Sequence, residues 1–141
     1  MCQKASNLRR EIAELHLSGS VMPIGAVAEP DLPALYSAAR LYVFPSLFEG
    51  FGLPILEAMA CGTPVVSSNA TSLPEVAGDA ACLVDPLDED QLAEAMYRAL
   101  TDEPLHASLR KRGLERAREF SWERTARGTV DVYRRVLSAE H

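Results

Sequence analysis

The sequence predicts an α/β fold with a doubly wound parallel sheet of about four strands and flanking helices. Short apolar runs alternate with helical stretches, and each run is apolar at successive positions, as in strands buried on both faces. The predicted strands are VMPIGAV (21–27), LYVF (41–44), TPVVS (63–67) and ACLV (81–84). Pro23 indicates an edge or a bulge in the first of them, because proline donates no ladder hydrogen bond.

Helices are predicted around these strands by apolar residues that recur at helical spacing. Their starts are marked by the capping residues Asp31, Asp88 (with Gln91 as a capping box) and Ser121. Proline is favoured in the first helical turn, which suits Pro54 and Pro104. The predicted helices are 3–17, 31–39, a stretch from Pro54 to Cys61, two that begin at Asp88 and Pro104, and a last one over 121–138.

Length and composition indicate a single domain over residues 1–141. The formal net charge of −6 argues against sequence-independent nucleic-acid binding and against an anionic membrane surface as main partner. The three cysteines are an odd number and lie far apart, which argues against a disulfide framework or a thiolate zinc site. With no long apolar run and no signal-peptide core, the sequence predicts a cytoplasmic protein.

One segment, FPSLFEGFGLPILEAMACGTPVVSSN (44–69), carries the candidate chemistry. Gly50 and Gly52 fall between a strand end and the helix that opens at Pro54. Glycine allows positive φ and close approach of a ligand, and the first amides of a helix have no intrahelical partner. The amides near Gly52 and Leu53 therefore form a predicted site for phosphate or another anion. An ordinary glycine turn is the alternative.

Two glutamates flank this loop at positions 49 and 57. A carboxylate accepts two hydrogen bonds, which suits Glu57 to the paired hydroxyls of a ribose. Glu49 follows the strand end. If a diphosphate occupies the anion site, a sugar attached to it would lie beside Glu49. Ser68 and Thr71 follow the next strand and are candidates for hydrogen bonds to phosphate or sugar. A solvated helix glutamate and a polar turn remain the alternatives at these positions.

The whole string resembles the E-x7-E signature of the group 1 (family 4) retaining glycosyltransferases, whose GT-B architecture has two Rossmann-like domains. The flanking stretches DLPALYSAARLYVFPS, LPEVAGDAACLVDPLDEDQLAEAM and FSWERTARGTVDVYRRVL are similar to the same family. The resemblance covers about residues 20–137 and concerns the C-terminal, donor-binding domain. The matching positions of the signature are Glu49, Gly50, Phe51, Gly52, Pro54, Glu57, Ala58, Cys61, Gly62, Pro64, Val65 and Val66.

The resemblance implies transfer of a hexosyl unit from a nucleotide-diphosphate sugar with retention, without a metal or other cofactor. It places the donor ribose on Glu57, the donor sugar beside Glu49 as catalytic residue, and the base near Gly25 and Val27. It places the sugar and diphosphate on the loop of Gly50, Phe51, Gly52 and Leu53. The implied course is front-face attack, in which the leaving phosphate helps to take the proton.

The sequence lacks two features of the family, a glycine–arginine pair and a lysine that together neutralise the diphosphate. Such a cationic clamp stabilises the charge that develops as the bond breaks. We therefore expect the isolated chain to bind nucleotide sugar weakly or not at all, and to transfer nothing. The expected partner is an N-terminal acceptor-binding domain or separate chain, or a second copy through an exposed sheet edge or face. Peripheral membrane association of the complete enzyme stays open.

Two other readings of the chain compete with this one. The first is a non-catalytic remnant or protein-interaction module derived from the same domain, which the lack of the cationic clamp favours. The second is another enzyme of the same architecture, such as a nucleotide-sugar epimerase or a glycogen synthase, which an acceptor domain would distinguish.

Overall fold

The computed structural model describes residues 2–139, and the chain divides into two compact units, Met1–Leu32 and Pro33–His141. The first unit contains helix α1 (Cys2–Glu14), a segment without regular secondary structure over 21–28 and a short 3-10 helix (Glu29–Asp31). Asp31, predicted to cap the second helix, lies within this 3-10 helix instead. The single domain predicted over 1–141 stays a prediction.

Helix α1 ends before the predicted boundary because His16 takes a left-handed backbone conformation, with φ of 57°. The amide of Leu17 donates to the carbonyl of Ile12 at 2.9 Å, and that of His16 to Ala13 at 3.1 Å. These two bonds form a Schellman motif, which satisfies the last helix carbonyls and stops the helix.

The strand predicted over 21–27 is wrong, since this segment forms no β-ladder in the structure. Pro23 provides no N–H for a ladder. Gly25 takes φ of +72°, outside the extended region that a strand requires. The apolar run is therefore an irregular segment.

The second unit is built on a three-stranded parallel sheet in the order β1 (Tyr42–Phe44), β2 (Val65–Ser68), β3 (Ala81–Val84). Tyr42 lies opposite Val65, and Val65 lies opposite Ala81. All four residues of the central strand are buried. The α/β class and parallel sheet are confirmed, and the predicted count of about four strands is corrected to three within the described residues.

Helices cover both faces of the sheet, because successive residues of β2 point to opposite sides. Val65 belongs to a buried cluster with Ile55, Met59, Leu73 and Val76, which come from the helices α3 (Leu53–Ala60) and α4 (Leu73–Ala77). Val66 belongs to a second cluster with Val84, Ala99 and Leu109. Ala99 and Leu109 come from α5 (Glu89–Thr101) and α6 (Glu103–Ala117). The sheet is therefore doubly wound, as predicted.

Two predicted helix caps are present. The carboxylate of Asp88 accepts from the amide of Gln91 at 2.9 Å, but the Gln91 side chain accepts from the amide of Asp85, so the capping box is only half formed. The Ser121 hydroxyl accepts from the amide of Arg124 at 3.1 Å and caps the last helix, α7 (Trp122–Ala139). The second helix is α2 (Leu32–Ala38).

Helix α7 carries an apolar stripe that no other described part of the chain covers. Every one of its residues is exposed, including Trp122 and the apolar positions Val130, Tyr133 and Leu137. No helix among residues 2–139 combines the length and apolar character needed to cross a bilayer. The cytoplasmic location stays a prediction.

A substitution at Gly113 tests the packing of α6 on α3. A Cβ at Gly113 would lie 3.2 Å from Cγ of Met59, so Gly113→Val should lower the free energy of unfolding by about 1–3 kcal/mol through overpacking. Gly128, on α7, has no atom within 4 Å of such a Cβ. Gly128→Ala should therefore stabilise the helix by about 0.5–1 kcal/mol. Urea unfolding of both variants measures the contrast, and equal effects would contradict the packing described here.

Candidate active site

The loop between β1 and α3, residues 45–52, lies at the carboxyl end of the parallel sheet, and we refer to it as the glycine loop. Strand β2 is the neighbour of β1, so the segment 69–72 that follows β2 emerges at the same edge. Ligands of open α/β sheets bind at this edge. The structure therefore brings two of the predicted site segments together.

Gly52 determines how the glycine loop enters α3. Its φ is +107°, which side-chain-bearing residues rarely adopt, and it is buried at the N-cap of the helix. A Cβ at this position would lie 2.6 Å from Cδ2 of Leu73, a fully buried core residue. Only glycine allows both this turn and this close approach.

Four successive amides of the loop are available to a ligand. The N–H groups of Gly50, Phe51, Gly52 and Leu53 donate to no acceptor within the described part of the chain. The next residue, Pro54, carries no N–H. These donors lie at the positive end of the α3 dipole, which is a favourable arrangement for a bound anion.

Glu49 is held in the loop by three hydroxyl groups. Its carboxylate accepts from the Ser46 hydroxyl at 2.9 Å, and its amide donates to the Thr71 hydroxyl at 3.1 Å. The Ser72 hydroxyl lies 3.0 Å from the Glu49 carbonyl and 2.9 Å from that of Phe51, so it donates to one or the other. The half-buried Glu49 is thereby fixed from both sides of the loop.

Two predicted donor-binding residues use their hydroxyls within the protein. The buried Ser68 donates to the carbonyl of Ser46 at 2.6 Å, and Thr71 accepts from Glu49. Thr71 has φ of 52°, which is rare for a β-branched residue. Surrounding contacts have to maintain such a strained conformation. Contact of either residue with a donor stays a prediction.

Glu57 lies on the solvent-exposed side of α3. One of its oxygens, Oε2, accepts from the Tyr36 hydroxyl at 3.1 Å. Burial raises the pKa of Tyr36 above its ordinary value, and the neighbouring Tyr42 and the Glu57 carboxylate raise it further. Tyr36 is therefore a protonated hydrogen-bond donor at neutral pH.

Phe51 connects the loop to the helices behind it. Its ring meets Phe120 edge to face at 6.0 Å, and the Arg116 guanidinium lies 4.8 Å from the centre of the Phe120 ring. Arg116 also donates to the carbonyls of Val76 at 2.9 Å and Glu75 at 2.6 Å. The tip of the loop is thus joined by packing to α4 and α6.

Comparison with known proteins identifies the family. A family model described as "Glycosyl transferases group 1" matches residues 3–116. The chain belongs to the group 1 glycosyltransferases. It is 49% identical over 116 residues to the O-antigen chain mannosyltransferase B of Escherichia coli. The aligned region covers 82% of this chain and 30% of that protein. The predicted family is therefore confirmed.

Solved glycosyltransferase structures share the fold. Sucrose-phosphate synthase from Thermosynechococcus elongatus superposes with a TM-score of 0.85 and 35% identity, over 96% of this chain and 35% of that one. HepE from Anabaena, solved in complex with UDP-glucose, superposes with a TM-score of 0.76 and 29% identity, over 82% of this chain and 32% of that one. The chain thus has the predicted GT-B-type fold and spans about a third of the length of these glycosyltransferases and of the mannosyltransferase.

Two more of the predicted donor-binding residues, Gly25 and Val27, lie in the first unit. Gly25 has positive φ, and Val27 is half-buried in the irregular segment over 21–28. Their predicted place near the base stays a prediction, as do the assigned roles of the loop residues.

Three residues that bond within the candidate site were not predicted from the sequence: Ser46, Ser72 and Tyr36. The side-chain bonds of Ser72 and Tyr36 span 23 and 21 positions, and no local pattern indicates such pairings, whereas the bond of Ser46 to Glu49 is local.

One surface depression of the described chain lies away from the glycine loop. It has a volume of about 460 Å³ and is lined by Leu87 and the acidic residues Asp85, Asp88, Glu89 and Asp90. These carboxylates repel a diphosphate, and two of them cap or precede α5.

No three His, Cys, Asp or Glu side chains among residues 2–139 gather as metal ligands do, and transfer without a metal stays a prediction.

Gly52→Ala tests the turn into α3. The left-handed conformation and the contact with Leu73 should together lower the free energy of unfolding by about 2–4 kcal/mol. Gly50 is the matched control in the same loop, because a Cβ there meets nothing within 4 Å. Gly50→Ala should change stability by less than about 1 kcal/mol. Thermal and urea unfolding distinguish the two, and a neutral Gly52→Ala would contradict the described turn.

Proposed function

We propose that this chain is the nucleotide-diphosphate-sugar-binding part of a glycosyltransferase that transfers a hexosyl unit to an acceptor with retention. The observation that carries the proposal is a row of four unengaged loop amides at the start of α3, flanked by Glu49 and Glu57. Family membership supports transferase chemistry. The bound UDP-glucose of HepE and the mannosyltransferase activity named for the E. coli relative support a nucleotide-linked hexose as the donor.

The loop amides suit the diphosphate. Gly50, Phe51, Gly52 and Leu53 present consecutive N–H donors without the bulk of side chains at two of the four positions. Because the donors are fixed before the ligand arrives, they cost no reorganisation when negative charge grows on the leaving phosphate. In the proposed reaction the acceptor hydroxyl attacks C1, the C1–O bond to phosphate breaks, and the acceptor proton passes to the phosphate.

Glu57 suits the ribose. Its Oε2 already accepts from Tyr36, while Oε1 accepts from no group within residues 2–139. A carboxylate with an open oxygen on an exposed helix face accepts hydrogen bonds from the 2′ and 3′ hydroxyls. Because Glu57 lies beyond the start of α3, a ribose bound there lies one to two helical turns from a diphosphate at the helix start.

Glu49 suits the donor sugar. Its Oε1 accepts from Ser46, and its backbone is held on both sides by Thr71 and Ser72. A carboxylate fixed in this way orients sugar hydroxyls without paying further side-chain entropy on binding. We propose it as the catalytic residue that positions the sugar for attack on C1.

A second candidate, a protein-interaction module, is favoured by α7. The exposed apolar stripe of Trp122, Val130, Tyr133 and Leu137 is typical of a helix that packs against another surface. An N-terminal acceptor-binding domain, a separate chain or a second copy of this chain are the proposed partners. Light scattering that shows a monomer at high concentration would argue against the second copy.

Glu57→Gln tests the proposed nucleotide site. The wild-type chain should bind UDP or GDP at millimolar concentrations, and the variant should bind about ten- to hundredfold more weakly because a charge-assisted acceptor is lost. Ligand-observed NMR measures affinities in this range. Glu94→Gln, on the exposed face of α5, is the control and should bind as wild type does. Equal binding by both variants would contradict the ribose assignment.

The isolated chain should form no transfer product. Removing one well-placed electrostatic donor costs about 10²–10³ in rate, and residues 1–141 contain neither the glycine–arginine pair nor the following lysine of the cationic clamp. A radiolabelled UDP-glucose or GDP-mannose assay with several acceptors checks this. Restoration of product by an added acceptor-binding domain would support the proposal. Robust transfer by the chain alone would contradict it.

A further inference from the structure

We propose that Tyr36 is a positioning residue that holds the Glu57 carboxylate in the orientation that receives the two ribose hydroxyls. The inference rests on the proposed function, since it deepens the role of Glu57 in donor binding. The hydroxyl of Tyr36 donates to Oε2 of Glu57 across 3.1 Å, from α2 to α3. This is the one side-chain hydrogen bond that Glu57 makes within the described residues, so it alone restrains the carboxylate.

Tyr36 is itself fixed from two directions. Its ring meets Tyr42 edge to face at 5.2 Å, and Tyr42 stacks on Phe44 at 5.9 Å. Its backbone carbonyl accepts from the hydroxyl of Thr63 at 2.5 Å, and Thr63 is buried just before β2. The ring is therefore held against β1, and the backbone of Tyr36 is held by the segment that leads into β2.

A restrained carboxylate binds a diol better than a free one. An exposed glutamate side chain loses rotamer entropy when a ligand immobilises it. Tyr36 removes part of that loss before the ligand arrives, which is the general benefit of preorganisation. It also occupies one lone pair of Oε2 and leaves Oε1 and the remaining lone pair of Oε2 to two adjacent hydroxyls.

The donor role of Tyr36 does not change with pH in the working range. Burial and the adjoining Tyr42 and Glu57 raise its pKa above the ordinary tyrosine value. The phenol therefore keeps its proton and remains a donor to Glu57 at neutral pH.

Tyr36→Phe tests the inference, because it removes only the hydroxyl and keeps the ring against Tyr42. The probe is whichever of UDP and GDP the wild-type chain binds more tightly, together with its 2′,3′-dideoxy counterpart. Loss of one net hydrogen bond should weaken binding of the ribonucleotide about three- to tenfold. Binding of the dideoxynucleotide should not change. Tyr97→Phe, an exposed tyrosine on α5, is the control and should change neither affinity.

The dideoxy comparison separates positioning from a structural effect. A distorted site would weaken both nucleotides equally and would overturn the inference, as would a Tyr36→Phe variant with wild-type affinity for the ribonucleotide. If Glu57→Gln still weakens ribonucleotide binding in that case, the proposed function stands without the inference. If neither Glu57→Gln nor removal of the ribose hydroxyls changes the affinity, the ribose assignment itself is wrong and the inference is overturned with it.

Discussion

The close approach of Gly52 to Leu73 is the constraint on which the rest of the site depends. A side chain at Gly52 would collide with Leu73, a fully buried residue at the start of α4. This contact brings the glycine loop against the segment that follows β2. Once the two segments are adjacent, Thr71 and Ser72 are within reach of the backbone at Glu49, and Ser68 is within reach of Ser46. The position of the predicted catalytic carboxylate thus follows from a packing contact in the core.

The same constraint explains the availability of the loop amides. Because Gly52 turns the chain sharply into α3, the N–H groups before the helix do not join a turn or a ladder. Of the four residues 50–53, only Gly52 is buried. A buried amide normally has a hydrogen-bond partner, and we propose a diphosphate as the partner of this one. In the proposed function, Glu57, restrained by Tyr36, binds the ribose of the donor, and Glu49, restrained by hydroxyls, binds its sugar. We propose that the cationic charge and the acceptor site come from the partner.

The sequence predicted the parts of the fold that depend on local patterns. The run at 81–84 and the caps at Asp88 and Ser121 appear where their residue types require them. The failure at 21–27 is equally physical, since an apolar run containing Pro23 and a left-handed Gly25 cannot complete a ladder. The E-x7-E spacing located the loop, but not the bonds that fix it. The bonds of Tyr36 to Glu57 and of Ser72 to Glu49 join segments more than 20 residues apart, and only the tertiary fold determines them.

A titration of the ¹⁵N-labelled chain with UDP and with GDP, followed by the shifts of assigned backbone amides, tests the central claim most directly. The account predicts saturable shifts that are largest at the amides of Gly50, Phe51, Gly52 and Leu53 and that extend along α3 to Glu57. Saturable shifts confined to other parts of the chain, with these four amides unmoved, would contradict it.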